Sequence, residues 1–468
     1  MKKISTIPTS HFFGKNDLHL FDLKNIFTAC SLWLENGMEN YIVTYDLFVR
    51  DMPKHRNFLI FGGLEEIVMD LKNWKYSKGE IDFLKKSGLA TPKLVNYLKK
   101  FKFKCDVRAM PEGTIFFQKE PVIRITGPIC DGNLLTNFLC TAVFGNTAYM
   151  SKIIRSRIAV GNKKYITGSG MRINSFEAGM KVCRSAYAVA ASSNYPAFCQ
   201  KFKVSINPAS INAYHAIIKS FPSEKEAFMA AARLFPNNAR VMVDTYDFKK
   251  GIKNVIAVSA ELTKENNEIV EINIDSGDLY GRSVYARKQF DKHGLQHIKI
   301  LAYSNLDEYK ILALEKRKAP IDTYVTQTEV CTLADSPKIE VVYKLAEVKN
   351  GSQIRPVAKL TKGKESYPGK KQVYRNFINH NFAYDVLGLE NEKRGLPLLK
   401  KIFDHGKLVH NLPNLFEISK YVDSQLAHLP KKYLAIDREY KYPVKISPKL
   451  EKLINKTKKQ IQRAYLKT

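Results

Sequence analysis

Cysteine is scarce in this 468-residue chain: Cys30, Cys105, Cys130, Cys140, Cys183, Cys199 and Cys331 are odd in number, scattered and nowhere spaced as CxxC. That pattern argues against a disulfide framework and against a zinc site, and it fits a reducing compartment. Long apolar runs are also missing. Nothing approaches the roughly 20 consecutive apolar residues of a membrane span, and the opening MKKISTIPTSHFFGKNDLHLF lacks the apolar core of a signal peptide. Acidic residues are few beside basic ones, 45 Asp plus Glu against 75 Lys plus Arg, for a net charge of +30. With no zinc finger, RRM-like aromatic motif or arginine-rich stripe, that surplus reads as solvated surface rather than a specific nucleic-acid site. A soluble, cytoplasmic protein with no membrane association is expected.

What is present is enough for a substantial core. With 45% apolar, 11% aromatic and 26% charged residues, the chain has the composition of a folded globule, and its length exceeds what one core usually holds. Leu23, Ile26, Phe27, Cys30, Trp33 and Leu34 recur at helical spacing between Asp22 and Gly37. YIVTYDLFVR (41–50), TIFFQ (114–118) and PVIRITG (121–127) read as strands, and a long helical stretch runs from about 131 to 160. From 165 onward, short β-branched runs alternate with amphipathic helices: ARVMVD, EIVEINID, IKILAYS and DTYVTQT each precede a helical pattern. Such repetition predicts parallel βα units. The expected fold is α/β: an irregular (β/α) barrel over 161–335, an N-terminal α+β domain over 1–160, and a β-rich, then basic helical region over 336–468 whose segments return to it.

Asp244, Asp275, Ser304 and Thr328 each fall where a predicted strand ends, one βα unit apart, on the face where such sheets place chemistry. Asp275-Ser276-Gly277-Asp278 brackets a Ser-Gly turn with two carboxylates. It can offer backbone N–H groups to an anion and carboxylates to Mg²⁺ or sugar hydroxyls, or it can be an ordinary turn with an Asp N-cap. Asp244-Thr245-Tyr246-Asp247 repeats the arrangement one unit earlier, which favours a functional face. Arg172, Arg184 and His215 add a base and two cations to the same half of the chain.

YDLFVRDMP with FGGLEE, MPEGTIFFQKEPVIRITGP, FPSEKEAF, VDTYD, IDSGDL, LDEYKI, YPGKKQVYR and LPKKYLAIDREYKYPVKISPKL together resemble nicotinate phosphoribosyltransferase over essentially the whole chain. The resemblance implies a type II phosphoribosyltransferase fold. It further implies condensation of nicotinate with phosphoribosyl pyrophosphate, coupled to ATP hydrolysis through a phosphorylated histidine, in a homodimer whose N-terminal helix reaches a neighbour's site. On that footing Asp275 and Asp278 hold Mg²⁺, and they, with Asp244, Asp247, Ser276 and Gly277, surround the ribose. Arg172 reaches the base and its partner, and Ser193 and Asn194 match the family's Ser-Asn turn. The histidine motif has decayed to INPASINAYHAI: ungapped alignment from Val204 puts its position on Ser210, whereas counting back from Phe221 puts it on His215. Only His215 can form a phosphoramidate, so it is the expected acceptor.

Four departures stand out. Lys24 replaces a base-stacking tyrosine, Asn273 replaces an arginine, and Ser304-Asn305 occupies a turn that usually carries Gly or Asp. Val325-Thr326-Gln327-Thr328-Glu329 stands where the family has Gly-x-Gly-Thr and a basic residue to cradle the 5′-phosphate, with Thr326 and Thr328 as the expected remaining contacts. Missing glycines predict a poorer phosphate cradle. Two alternatives follow from these departures: a neutral base such as nicotinamide, or a catalytically weak paralogue retained as a binding or regulatory subunit.

Overall fold

The structure, a computed structural model, describes residues 18–20, 24–168, 172–189, 195–204 and 211–465. Among the described residues, seven strands form an antiparallel sheet in the spatial order 353–356, 341–350, 42–49, 121–128, 106–109, 400–404 and 407–408. Ile42–Val49 and Pro121–Pro128 were expected as strands, and the strands after residue 340 join them, as the expectation that C-terminal segments return to the N-terminal half required. Ile42–Val49, buried along nearly its whole length, is central and pairs on one side with Pro121–Pro128 and on the other with Val341–Asn350. The helix Lys24–Glu35 packs on this half against Pro92–Lys99 and Ile129–Leu134, and Gly37 closes it at a φ of 69°, as its expected C-terminal glycine.

A 25-residue helix, Thr136–Val160, joins the two halves. It is buried on most of its circumference, the polar Lys152 and Arg155 included, and touches Phe176–Ala188, Glu308–Lys316 and the strand Val341–Asn350.

The second half is a parallel sheet of six strands among the described residues: β1 (Lys164–Thr167), β2 (Ile211–Ala213), β3 (Ala239–Met242), β4 (Ile269–Ile274), β5 (Lys299–Ala302) and β6 (Thr323–Thr326). Their spatial order is β1-β6-β5-β4-β3-β2. That is the cyclic order of a barrel; among the described residues β1 and β2 are not hydrogen-bonded to each other, and what is described is a series of parallel βα units. Parallel pairing needs a crossover between strands, and the helices Phe248–Leu262, Leu279–Lys292 and Glu308–Lys316 supply it. Alternation along each short strand divides its side chains between two faces. Val241, Ile272, Ile274, Ile300 and Ala302 are fully buried on one face; Arg240, Glu271, Asn273 and Thr323 lie on the other. This inner face is polar, and it leads up to the strand ends where the acidic turns stand.

Two buried ion networks tie separate parts of the fold together. In the first, Arg375 makes a bidentate pair with Asp385 at 3.1 and 2.7 Å, donates to the Ile115 carbonyl at 2.8 Å, and both side chains are essentially inaccessible. In the second, Glu308 accepts from Lys152 at 2.6 Å and Arg155 at 2.9 Å, while Asp335 pairs with Lys152 at 2.7 Å and Arg56 at 2.9 Å. Burial alone pushes the Asp335 carboxyl up, but the Arg56 hydrogen bond and the charges of Arg56 and Lys152 outweigh it and hold it at about 2. Glu308 is held below its usual range by Lys152, Arg155 and Arg56 against the opposing effect of burial. Folded-state values below the unfolded ones mean stability that is present above the unfolded pKa and lost as pH falls through the folded one. We therefore expect the melting temperature to drop as pH falls from about 4 to about 2, a drop made shallower by Asp335→Asn.

Candidate active site

The strand ends meet at a cavity of about 450 Å³ lined by Arg172, Asp275, Tyr303, Ser304, Asn305, Val325, Gln327, Thr328 and Glu329. Asp275 follows β4 and Tyr303 follows β5, so both continue the inner face, and the Tyr303 N–H donates to the Ile274 carbonyl at 2.9 Å. Burial, then Glu271 and Asp275, push the Tyr303 hydroxyl up to about 12, which keeps it a neutral donor.

Asp244 ties the two acidic turns together. Its Oδ2 accepts from the Asp275 N–H at 3.0 Å and the Ser276 hydroxyl at 2.5 Å, with Arg282 Nη1 3.5 Å away. Its side chain is 1% exposed, so it braces the turn from beneath rather than facing solvent. Arg282 also donates to the Ser276 carbonyl and hydroxyl at 2.8 and 2.9 Å. Gly277 takes a φ of +71°, which favours glycine, and a Cβ there would lie 2.6 Å from the Arg282 guanidinium, which would have to swing aside.

His215, at the start of the short helix after β2, joins this group. Its Nδ1 is 3.0 Å from the Thr245 hydroxyl and its Nε2 is 3.8 Å from Asp275 Oδ2. The Asp275 carboxyl is raised by burial and by Asp244, and drawn back by His215, the Ser304 backbone N–H and Arg172. Hence the histidine, an acidic group of raised proton affinity and a guanidinium surround one point.

Other expected site residues take different positions. Asp247 is exposed and caps the helix Phe248–Leu262 through the Lys250 N–H at 2.7 Å, and Asp278 is an exposed N-cap residue without a side-chain cap bond. Asn273 lies buried one layer below Asp275, and its Oδ1 accepts no hydrogen bond among the described residues. Thr326 is a correction: it faces away from the inner side, fully buried, with its hydroxyl 2.7 Å from that of Tyr165. Strand alternation explains it, since Val325 and Gln327 take the cavity side. Lys24 is exposed at the first turn of its helix and does not line the cavity of its own chain. Ser193 and Asn194, like Ser210, lie outside the described residues.

The turn after β6 also differs from expectation. No residue from Val325 to Glu329 has a positive φ, so the turn closes without the glycines, and Thr328 and Glu329 open a helical turn whose first N–H groups have no intrahelical partner. Ser304 and Asn305, by contrast, sit at φ of 84° and 48°, where glycine or asparagine is easiest. Thr245, Tyr303 and Arg282 were not anticipated; Tyr303 shares the parity of Asp275 along its strand, a signal available in the sequence.

For a divalent cation, the carboxylates that line the cavity are Asp275 and Glu329, and Asp278 is not among the lining residues. Among the described residues, the one group of three His, Cys, Asp or Glu atoms within 4.8 Å of one another is Asp106, Asp404 and His405, on the N-terminal sheet. A pair of carboxylates without a third ligand suits Mg²⁺ that arrives with its phosphates, because that ion keeps several waters and binds through one or two carboxylates plus substrate oxygens.

Fold and site together define an α/β protein with ionisable and polar side chains in a cavity at the carboxyl ends of parallel strands, where enzymes of this architecture bind their substrates. Residues 22–143 match the family model of the nicotinate phosphoribosyltransferase N-terminal domain, and residues 391–454 match that of its C-terminal domain. The chain is 29% identical to a nicotinate phosphoribosyltransferase of Mycobacterium tuberculosis over 433 residues, covering 92% of this chain and 91% of that protein. It is 28% identical to the Bacillus subtilis nicotinate phosphoribosyltransferase over 457 residues, 91% of this chain and 92% of that one. The crystal structure of human nicotinic acid phosphoribosyltransferase superposes with a TM-score of 0.81 at 21% identity, covering 93% of this chain and 99% of the human one. The chain is thus similar to nicotinate phosphoribosyltransferases over about nine-tenths of its length, with that family's domain models matching on both sides of the parallel sheet.

Proposed function

We propose that this enzyme forms nicotinate mononucleotide from nicotinate and phosphoribosyl pyrophosphate, in NAD salvage. The observation that carries the reading is the meeting of Arg172 and Asp275 in one strand-end cavity, with His215 Nε2 3.8 Å from Asp275, in a chain whose relatives of matching length are named for this reaction. The nicotinate ring nitrogen attacks the anomeric carbon, and the bond from that carbon to the pyrophosphate oxygen breaks. Positive charge develops on the ribose as it does so, and the Asp275 carboxylate beside the cavity stabilises it. Asp244 and Arg282 keep that carboxylate and the Ser276-Gly277 turn in position. Arg172 offers the guanidinium that a carboxylate-bearing base needs. Thr328, with the first N–H groups of its turn, receives the 5′-phosphate. Bound Mg²⁺, held by Asp275 and Asp278, would offset charge on the departing pyrophosphate.

ATP hydrolysis is coupled through His215. The Thr245 hydroxyl holds Nδ1, leaving Nε2 as the nucleophile that takes the γ-phosphoryl group, with ADP leaving. The working unit is a homodimer in the cytoplasm, with Lys24 contributed to the neighbouring subunit's site. Among the described residues, no helix is long and apolar enough to cross a membrane.

Base choice is the sharpest test. With phosphoribosyl pyrophosphate and equal nicotinate and nicotinamide, nicotinate mononucleotide should dominate, and Arg172→Ala should weaken nicotinate use by roughly one to two decades, the scale of a lost charged hydrogen bond. Nicotinamide mononucleotide as the main product would overturn the assignment of the base.

A further inference from the structure

The turn that walls one side of the cavity is a closed unit. Gln327 leads into the helical turn Thr328–Cys331, Leu333 reverses the chain at a φ of 55°, and the Ala334 N–H returns to the Glu329 carbonyl at 3.1 Å. Two side chains anchor the unit. Cys331 Sγ donates to the Gly168 carbonyl at 2.9 Å, fixing it to the end of β1. At its far end Asp335 takes Lys152 at 2.7 Å and Arg56 at 2.9 Å, whose side chains are only 1% and 4% exposed. Both cations are shared with Glu308, which is 0% exposed and also binds Arg155. Arg56 comes from the N-terminal half, Lys152 from the long connecting helix and Glu308 from the crossover after β5. The anchor therefore refers the cavity wall to three otherwise separate parts of the fold.

We infer that Asp335 is a positioning residue for the 5′-phosphate of the phosphoribosyl substrate: gripped by Lys152 and Arg56, it holds the Gln327–Ala334 turn against the cavity. The inference rests on the phosphoribosyl-transfer reading above. Asp335 does not line the cavity itself; Gln327, Thr328 and Glu329 do. Hydrogen bonds weaken steeply with misalignment, and small displacements of positioning groups are costly to binding and rate. A turn built without glycines has no backbone slack of its own to recover the alignment, so the ion pair beyond it sets the geometry.

The test uses the full-length chain and calorimetric titration with two probes, ribose 5-phosphate and inorganic pyrophosphate. Asp335→Asn should weaken ribose 5-phosphate at least tenfold and leave pyrophosphate within twofold, with part of the loss recovered by Asp335→Glu. In steady state, KM for phosphoribosyl pyrophosphate should rise while KM for nicotinate stays within twofold. A folded Asp335→Asn chain that binds ribose 5-phosphate like wild type, or loses both probes equally, would overturn the inference. If thermal melts show that Asp335→Asn is unfolded at the assay temperature, Arg56→Lys keeps the charge and should shift ribose 5-phosphate alone, about threefold; no selective shift overturns the proposal equally. Wild-type chain that binds ribose 5-phosphate yet makes no nicotinate mononucleotide would instead overturn the reaction assigned above, leaving the role of Asp335 to be decided by the binding ratios.

Discussion

Replacing His215 by alanine should abolish the acid-labile phosphoryl label that Mg²⁺ and γ-labelled ATP leave on the wild-type chain, together with any acceleration of mononucleotide formation by ATP. The expected loss in the ATP-coupled rate is about two to four decades, the scale on which a positioned imidazole contributes. The geometry motivates it: Thr245 at 3.0 Å fixes one ring nitrogen, and the other looks toward Asp275 at 3.8 Å. Thr245→Val should keep the site of labelling and slow it, since the ring loses its orienting partner but not its nucleophile. Label that survives His215→Ala, located by mass spectrometry on another residue, would move the acceptor elsewhere.

The second large effect concerns the frame. Arg375→Ala should destabilise the protein by about 3–5 kcal/mol, because removing one partner of a buried pair leaves the other charge unpaired. Here the stranded group is Asp385, itself 0% exposed, and its neighbour Glu120 is buried too, with its carboxyl already pushed up by burial and by Asp385 and drawn down by Arg375. The guanidinium also lies 4.3 Å from the centre of the Phe382 ring and holds the Ile115 carbonyl, so the lost contacts span the hairpin of strands Lys371–Ile378 and Asn381–Leu389 and the N-terminal half. Arg375→Met with Asp385→Leu should recover most of the loss, since a well-packed apolar pair can replace a buried ion pair. Denaturant titration of the three variants measures both terms, and a single variant as stable as wild type would show that the pair is not a frame element.

How much of this was legible in the sequence depended on whether period or distance carried the information. Asp244, Asp275, Ser304 and Thr328 could be placed at strand ends because βα repetition recurs at short range, and the structure brings Asp275, Ser304 and Thr328 to one cavity. The spacing argument for His215 over Ser210 likewise puts an imidazole beside Asp275. Thr326 was misread because a motif was aligned without asking which way each residue of β6 faces; parity assigns Val325 and Gln327 to the cavity and Thr326 to Tyr165. Missing glycines suggested a ruined phosphate turn, yet no residue from Val325 to Glu329 takes a positive φ. The brace of Arg56, Lys152 and Asp335 could not be read at all, because its members are far apart along the chain and no local pattern marks them. Arg282 was hidden as well: it reaches back from the following helix to the Ser276 carbonyl and hydroxyl, a contact that no local pattern marks.

The central claim is that the wild-type chain is an ATP-coupled nicotinate phosphoribosyltransferase acting through this strand-end site. Its most direct test is the initial rate of nicotinate mononucleotide formation from nicotinate and phosphoribosyl pyrophosphate, with and without Mg²⁺ and ATP, with ADP measured in the same samples. The account predicts mononucleotide as product, a faster rate with ATP and ADP released in step with it; folded wild-type chain that forms no mononucleotide under either condition would contradict it.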